Sequence, residues 1–454
     1  MTAVPRRITR TERGQARELG RSQVVAVVTV AAALAVFGIV FVLRTPAQNP
    51  GQKPGQNPGQ SGGPRSVPTP AQIFCDIAPD NDVLAIEAAI NGCSDGSSIR
   101  FPVGVQYVLN DTIFVKDRHN LVIDGGGSTF KLATDGQTKP SISRIAPGYN
   151  EKSKNGGNWM LLRGTNITLK NLKAIGSFPP ALNGEIRDIK AENRPEYVTD
   201  DDGDGQIRYA EWMSNFGVYG TDGAYLQDLS GFAPWGDTIT AATDLYVDNF
   251  NNEHGGDPKT GNFPRNVFAK RVTSEGPSRH CFALTSGFNL HIEDSYCKSA
   301  WYGGTDQELD NPNHPLEGVH FLRNTFDEFN LFGYLIPVAG ARTRDISIKG
   351  NLFKTSPDVK CNQSIGTGGY PDVLETIKEL TIENNTIVTY GTAISLDSIA
   401  GGKIRNNKIT TLPEDGAGCG TEQGAAPPIK ISPRSIGVVQ ENNGPDAPGA
   451  VGKS

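Results

Sequence analysis

Beyond residue 100 the apolar and polar positions repeat as short strand-like units. Nine segments alternate apolar with polar: NLVIDGG from Asn120, NITLKNL from Asn166, GAYLQDL from Gly223, NVFAKRV from Asn266, NLHIEDS from Asn289, GVHFLRN from Gly318, DISIKGN from Asp345, ELTIENN from Glu379 and GGKIRNN from Gly401. A period of two belongs to a strand with one buried face. Anchored on Leu226, Ala269, Ile292, Phe321, Ile348, Ile382 and Ile404, and counted from the segment before them, the units recur after 57, 43, 23, 29, 27, 34 and 22 residues. The short steps fit one coil of a β-solenoid, and the long ones are expected to hold a coil or two plus insertions. Three residues past the last four anchors stand Asn324, Asn351, Asn385 and Asn407, and two residues further Phe326, Phe353, Ile387 and Ile409. Asn tolerates the left-handed backbone of a tight bend. Stacked coil on coil, its amides can form a ladder. A second strand is expected after each first one, at WGDTITA from Trp235, HCFALTS from His280, YGGTD from Tyr302, FGYLI from Phe332 and GTAISL from Gly391.

These patterns predict an all-β fold, a single-stranded parallel β-helix with two or three strands per coil. A coil cannot bury its apolar face alone, so coils stack and the ends need caps. Residues 80–92, DNDVLAIEAAING, are read as an N-terminal capping helix with Asp80 as N-cap and Val83, Ile86 and Ile90 on one face. The following IRFPVGVQYVL reads as a strand pair.

The residues ahead of this domain follow another pattern. Val24 to Leu43 is twenty residues without a charge, preceded by Arg6, Arg7, Arg10, Arg13, Arg17 and Arg21. Twenty helical residues span roughly 30 Å of hydrocarbon. The Arg flank places residues 1–23 in the cytoplasm as a basic tail and the rest of the chain outside. The apolar run is longer than that of a signal peptide, and Thr45-Pro46-Ala47 is a poor cleavage site, so a retained single-pass anchor over 24–43 is expected. Residues 44–71 repeat Pro-Gly-Gln and offer no core, which reads as a spacer. The β-helix domain is bounded at 72–443, with a disordered tail at 444–454.

Composition sharpens this picture. The 454 residues hold 53 Gly and 3 Met, a balance that disfavours long helices. The net charge of -6 argues against a nucleic-acid partner. It masks a split: once residues 1–65 are set aside, 34 basic residues face 47 acidic ones, about -13. Six Cys, at 75, 93, 281, 297, 361 and 419, all lie beyond the spacer. An even count in an exported segment points to disulfides, with fifteen possible connectivities. Nearest pairing (75–93, 281–297, 361–419) is the expectation.

The helix at 80–92, then Phe101-Pro102 with Gly104 and Tyr107, then VIDGGG from Val122 resemble the start of right-handed parallel β-helix proteins of the pectate-lyase-like superfamily. The resemblance covers roughly residues 72–443 and implies right-handed coils. That superfamily contains lyases, glycoside hydrolases, epimerases, phage tailspikes and proteins without activity, so function has to be argued from a site.

Two constellations carry chemistry. Residues 200–211, DDDGDGQIRYAE, place Asp200, Asp202, Asp204, Gln206 (through its carbonyl) and Glu211 at the ligand positions of an EF-hand-type loop, with Gly205 at the sharp turn. This spacing wraps six to eight oxygens around calcium. The loop sits in an insertion, 176–214, where a structural ion is expected. Counting along the coils brings Asp237, His280 and Gly303–Asp306 to similar places. A groove there is expected to hold Asp237, His280, Asp306 and Glu308 as acid/base candidates, with Trp235, Arg279, Trp301 and Tyr302 binding substrate. Asp and His on successive coils resemble polygalacturonase-type glycoside hydrolases, but their Asn-Thr-Asp and Arg-Ile-Lys segments are absent from this sequence. The expected partner is a polysaccharide, acidic or of a cell wall, although a body of about -13 opposes a strongly anionic polymer unless the groove is locally basic. The function expected is therefore a membrane-anchored extracellular β-helix that binds glycan and, as an enzyme, cleaves it by hydrolysis or elimination. The alternative is a non-catalytic adhesin or wall-binding rod.

Overall fold

The computed structural model describes residues 73–133, 160–178, 214–244, 262–307, 309, 311–337, 339–356, 362–368, 377–412 and 427–447. The anchor at 24–43, the spacer, the calcium loop with Asp200, Asp202, Asp204, Gln206 and Glu211, Glu308, Cys361 and Cys419 lie outside them. Among the described residues no helix is long and apolar enough to cross a membrane.

The described residues form 28 strands and one helix. The strands join into one sheet in which consecutive coils pair in parallel. Each full coil has a long strand, a short strand and a third strand. Leu316–Leu322, Thr325–Phe329 and Phe332–Ile336 make one such coil. The next is Thr343–Lys349, Leu352–Thr355 and Gln363–Thr367. Gln363–Thr367 escapes the sequence pattern because QSIGT presents a single large apolar residue, Ile365.

The register follows the expected anchors. Leu169 pairs with Leu226, Leu226 with Ala269, and the column continues through Ile292, Phe321, Ile348, Ile382 and Ile404. All of these side chains are buried in one continuous core. The 57- and 43-residue steps thus each hold a single coil with an insertion, not two coils. The short strands add a second column, Cys297, Phe326, Phe353, Ile387 and Ile409. Phe326 and Phe353 stack at 4.9 Å with their planes 4° apart.

The corners explain the sequence pattern. The first residue of each of the nine segments has positive φ: Asn120, Asn166, Gly223, Asn266, Asn289, Gly318, Asp345, Glu379 and Gly401. Gly, Asn and Asp visit this region most cheaply. At the next corner the left-handed residue is the one before each ladder Asn, namely Arg323, Gly350, Asn384 and Asn406. The ladder Asn residues therefore do not make the bend themselves, contrary to the expectation from their residue type. They lock it. Asn324 donates to Asn351 Oδ1 at 3.1 Å, Asn351 to Asn385 at 3.1 Å, Asn385 to Asn407 at 2.9 Å, and Asn407 to Asn443 at 2.9 Å. Each amide also donates to a backbone carbonyl, as Asn351 does to Phe321 O at 2.9 Å. All four of the expected ladder residues are buried.

The helix runs Val83–Gly92 and buries Val83, Ile86 and Ile90. Its N-cap is Asp82, not Asp80: Asp82 Oδ1 accepts from Ala85 N at 2.8 Å. Ala78 O accepts from Asn81 N, so Asp80 falls inside a preceding turn. Two disulfides, Cys75–Cys93 and Cys281–Cys297, follow nearest pairing. The stack runs past the expected end at 443, because Gly444 N donates to Asn407 O and Gly444 O accepts from Ile409 N, both at 3.0 Å.

One buried group is out of keeping with the core. His314, with no exposed surface, meets Phe263 edge-on at 5.2 Å and has no hydrogen-bond partner at either ring nitrogen among the described residues. Burial pushes it from 6.5 down to about 4.

This packing generates two predictions. Asn351→Ala removes an acceptor for Asn324 and leaves buried donors orphaned, which should lower stability by about 2–4 kcal/mol in a urea titration. His314 takes up its proton in the unfolded chain near pH 6.5 but in the folded chain only near 4. Its contribution is complete above 6.5 and is lost as pH falls through 4, a total on the order of 3 kcal/mol. His314→Leu should flatten the stability–pH curve in that window, read by thermal melts at pH 7, 5.5 and 4.5.

Candidate functional site

The third-strand column places the candidate chemistry. Ile239–Ala242, His280–Leu284 and Gly303–Asp306 are consecutive rungs. Phe282 is level with Ile239, and His280 with Gly303. Asp237 precedes its strand by two residues, so it falls beside His280. The backbone confirms this, since Thr238 N donates to His280 O at 3.2 Å. Ala283 is level with both Thr240 and Asp306.

Four ionisable side chains meet there. Asp237 Oδ1 accepts from the backbone N of His280 at 3.0 Å and lies 3.2 Å from His280 Nδ1. His280 Nδ1 is 3.8 Å from Asp306 Oδ2. Arg279 Nη2 donates to the same Asp306 oxygen at 3.3 Å. Asp237, His280 and Asp306 are buried, at 2%, 2% and 5% exposure. Arg279 is partly open. A carboxylate only accepts, so Nδ1 carries the proton toward Asp237, and in the neutral ring Nε2 is then an acceptor. Nε2 is buried and has no partner among the described residues.

Sequence patterning does not reveal the groups behind this cluster. Thr240 Oγ1 donates to Asp237 Oδ2 at 3.4 Å, and Ser214 Oγ lies 2.6 Å from Thr240 Oγ1. This hydroxyl pair holds the carboxylate from the side opposite His280. Phe332 stacks on the His280 ring at 5.6 Å with planes 24° apart, and Tyr302 tilts against it at 5.8 Å. Reading His280, Gly303 and Phe332 down one column would have found the stacking partner.

The two Trp residues need correcting. Trp235 is 1% exposed, packs edge-on against Phe178 at 5.7 Å and donates its indole N–H to Ser177 Oγ at 2.8 Å. Trp301 is 3% exposed and meets Tyr302 edge-on at 5.3 Å. Their ring faces belong to the core and are not presented to a sugar. Tyr302 and Arg279, both half-buried, border the cluster. Glu308 lies outside the described residues.

Among the described residues, no group of three or more His, Cys, Asp or Glu is arranged to hold a metal ion. Two surface clefts lie elsewhere. One of about 500 Å³ includes Phe288, Glu317, His320 and Arg344, and one of about 510 Å³ includes Asp117, Arg163, Asp222 and Arg265. Asp237, His280 and Asp306 line neither.

No protein-family model matches the chain, and no curated protein matches it. Solved structures do. The surface protein and adhesin PfbA of Streptococcus pneumoniae superposes with TM-score 0.52 at 15% identity, over 80% of this chain and 88% of that one. A second structure of PfbA gives 0.50 at 15% identity, over 82% and 84%. A family 28 exopolygalacturonase of Yersinia enterocolitica superposes more loosely, with TM-score 0.41 at 12% identity over 82% and 78%. Together with the parallel coil stack, the likeness shows the fold, a right-handed parallel β-helix.

Proposed function

We propose that this chain is a membrane-anchored, extracellular β-helix that binds a polysaccharide and cleaves a glycosidic bond at the Asp237–His280–Asp306 cluster. The observation that carries the reading is convergence. Three coils bring two carboxylates to 3.2 and 3.8 Å from one imidazole nitrogen, and the other imidazole nitrogen has no partner among the described residues. In this reading Asp237 orients His280, and Asp306 with Arg279 supplies the second carboxylate of an acid/base pair. The residues at 24–43 hold the chain in the membrane, with its N-terminus cytoplasmic. The helix Val83–Gly92 closes the first coils, and the loop at 200–211 binds one structural calcium.

A second reading is favoured by a different observation, the burial of all three groups. In it the chain is a non-catalytic glycan-binding rod at the cell surface, and the cluster is an internal ion pair. The similarity to a pneumococcal surface adhesin is compatible with that reading.

Turnover separates the two. The full-length protein is incubated with neutral and acidic polysaccharides, and reducing ends and unsaturated ultraviolet-absorbing products are followed. Turnover that drops by about 10²–10⁴ in Asp237→Asn, Asp306→Asn and His280→Gln supports the enzyme. Saturable binding that survives these substitutions, with no product, supports the rod. Calcium is tested separately by calorimetric titration. One ion per chain is expected, lost in Asp200→Ala and Glu211→Gln, and an absence of heat at millimolar calcium would sink the claim.

A further inference from the structure

We propose that the space above Gly303 is the entrance to the Asp237–His280–Asp306 cluster, and that the Phe332 side chain is its displaceable cover. The proposal takes only the identity of the ligand, a saccharide, from the function proposed above.

The argument starts from the register. His280, Gly303 and Phe332 occupy one column on three consecutive coils. Backbones two coils apart in a sheet are separated by roughly 9–10 Å. Yet the rings of His280 and Phe332 lie 5.6 Å apart and nearly parallel. The two side chains therefore lean together by a large part of one coil spacing, with the Phe332 ring lying over Gly303. Gly303 makes this possible, because a Cβ there would overlap the Phe332 ring and the carbonyl of Phe332. The ring fills a void one side chain deep, whose floor is the backbone of Gly303.

Phe332 is half-buried, whereas His280 is 2% exposed. The phenyl ring thus keeps a face open to solvent, and the imidazole it stacks on does not. Swinging it away about its Cα–Cβ bond opens a path to His280 with no change in the sheet. Two opposing effects are set against each other in the closed state. The stacked pair gains an aromatic contact, and His280 Nε2 is left as a buried acceptor without a partner among the described residues. These effects are of the same order, so the unpartnered nitrogen offsets part of the stacking that holds the ring closed. A saccharide offers both halves of what the open state lacks. A hydroxyl donates to Nε2, and a ring C–H face replaces the phenyl against the imidazole. Phe332 is in this sense a residue that sets access and specificity, not a catalytic one.

The test reads exposure of His280 directly and uses no saccharide. The full-length protein is treated with diethyl pyrocarbonate at pH 7, and labelling of each His is followed by peptide mass spectrometry. Phe332→Ala should speed labelling of His280 on the order of tenfold, as loss of the stacking contact predicts, while exposed His119 and buried His314 keep their rates. Phe332→Leu keeps apolar bulk without the ring. It should give a smaller increase in the same residue and serves if the alanine variant fails to fold. An unchanged His280 rate in a variant that melts cooperatively like the parent overturns the proposal. So does a rise shared by His280 and His314, which reports general loosening. Failure here leaves the polysaccharide reading intact, and a chain that turns over no polysaccharide can still show the gate.

Discussion

Each coil of this protein pairs only with the coils before and after it, so a residue's neighbours in the sheet are its counterparts one coil away. Everything else depends on that register. It is kept at the corners. A positive φ at the first residue of each segment turns the chain into the long strand at one fixed residue. A slip by one would send the inward side chains outward. The amide ladder from Asn324 to Asn443 then ties five successive short-strand corners together, each with side-chain and backbone bonds. Corner chemistry and core packing thereby enforce the same alignment. Leu226, Ala269, Ile292 and Phe321 stack in a column because Gly223, Asn266, Asn289 and Gly318 turn in a column.

The same constraint assembles the candidate site. Asp237, His280 and Asp306 are 43 and 26 residues apart in sequence. They meet because each stands near one level of the third strand. No local motif announces them. Their spacing becomes meaningful only when measured from the long-strand anchors of their own coils. This is why Asp237 and His280 are legible in the sequence, while Ser214 and Thr240 are not. A Thr within a strand carries no mark of which face it serves, and Thr240 reaches Asp237 from a position two residues beyond Thr238, which bonds to Ser274 instead.

The places where pattern and fold disagree have a common physical origin. Residue type tells what a side chain can do, and the register decides which way it faces. Trp235 and Trp301 are the residues a sugar site would use, yet they stand where the chain runs from a short strand to a third strand and fill the interior there. The ladder asparagines are of the type that bends backbone, yet the bend falls one residue earlier and their amides are used for stacking. The steps of 57 and 43 residues look long enough for two coils, because an insertion adds length without adding a rung. Gln363–Thr367 is a rung whose neighbours, Phe332–Ile336 and Thr392–Leu396, supply the apolar surface it lacks.

Charge places a further limit on the ligand. The chain beyond residue 65 is strongly acidic, with 34 basic against 47 acidic residues, and many of its arginines are engaged across coils. Arg163 pairs with Asp117, Arg271 with Asp228, Arg323 with Asp294, Arg342 and Arg344 with Glu317, and Arg405 with Glu383. Such exposed pairs contribute at most about 1 kcal/mol each. Their effect on the surface potential is larger than their effect on stability, because each cancels a positive charge that a polyanion would need. At the cluster itself Arg279 is held by Asp306, beside a second carboxylate and the His280 imidazole. A site so composed has no surplus of positive charge to hold a polyuronate. On the proposed function, that composition favours a neutral saccharide over an acidic one, with hydroxyls donating to carboxylate and imidazole.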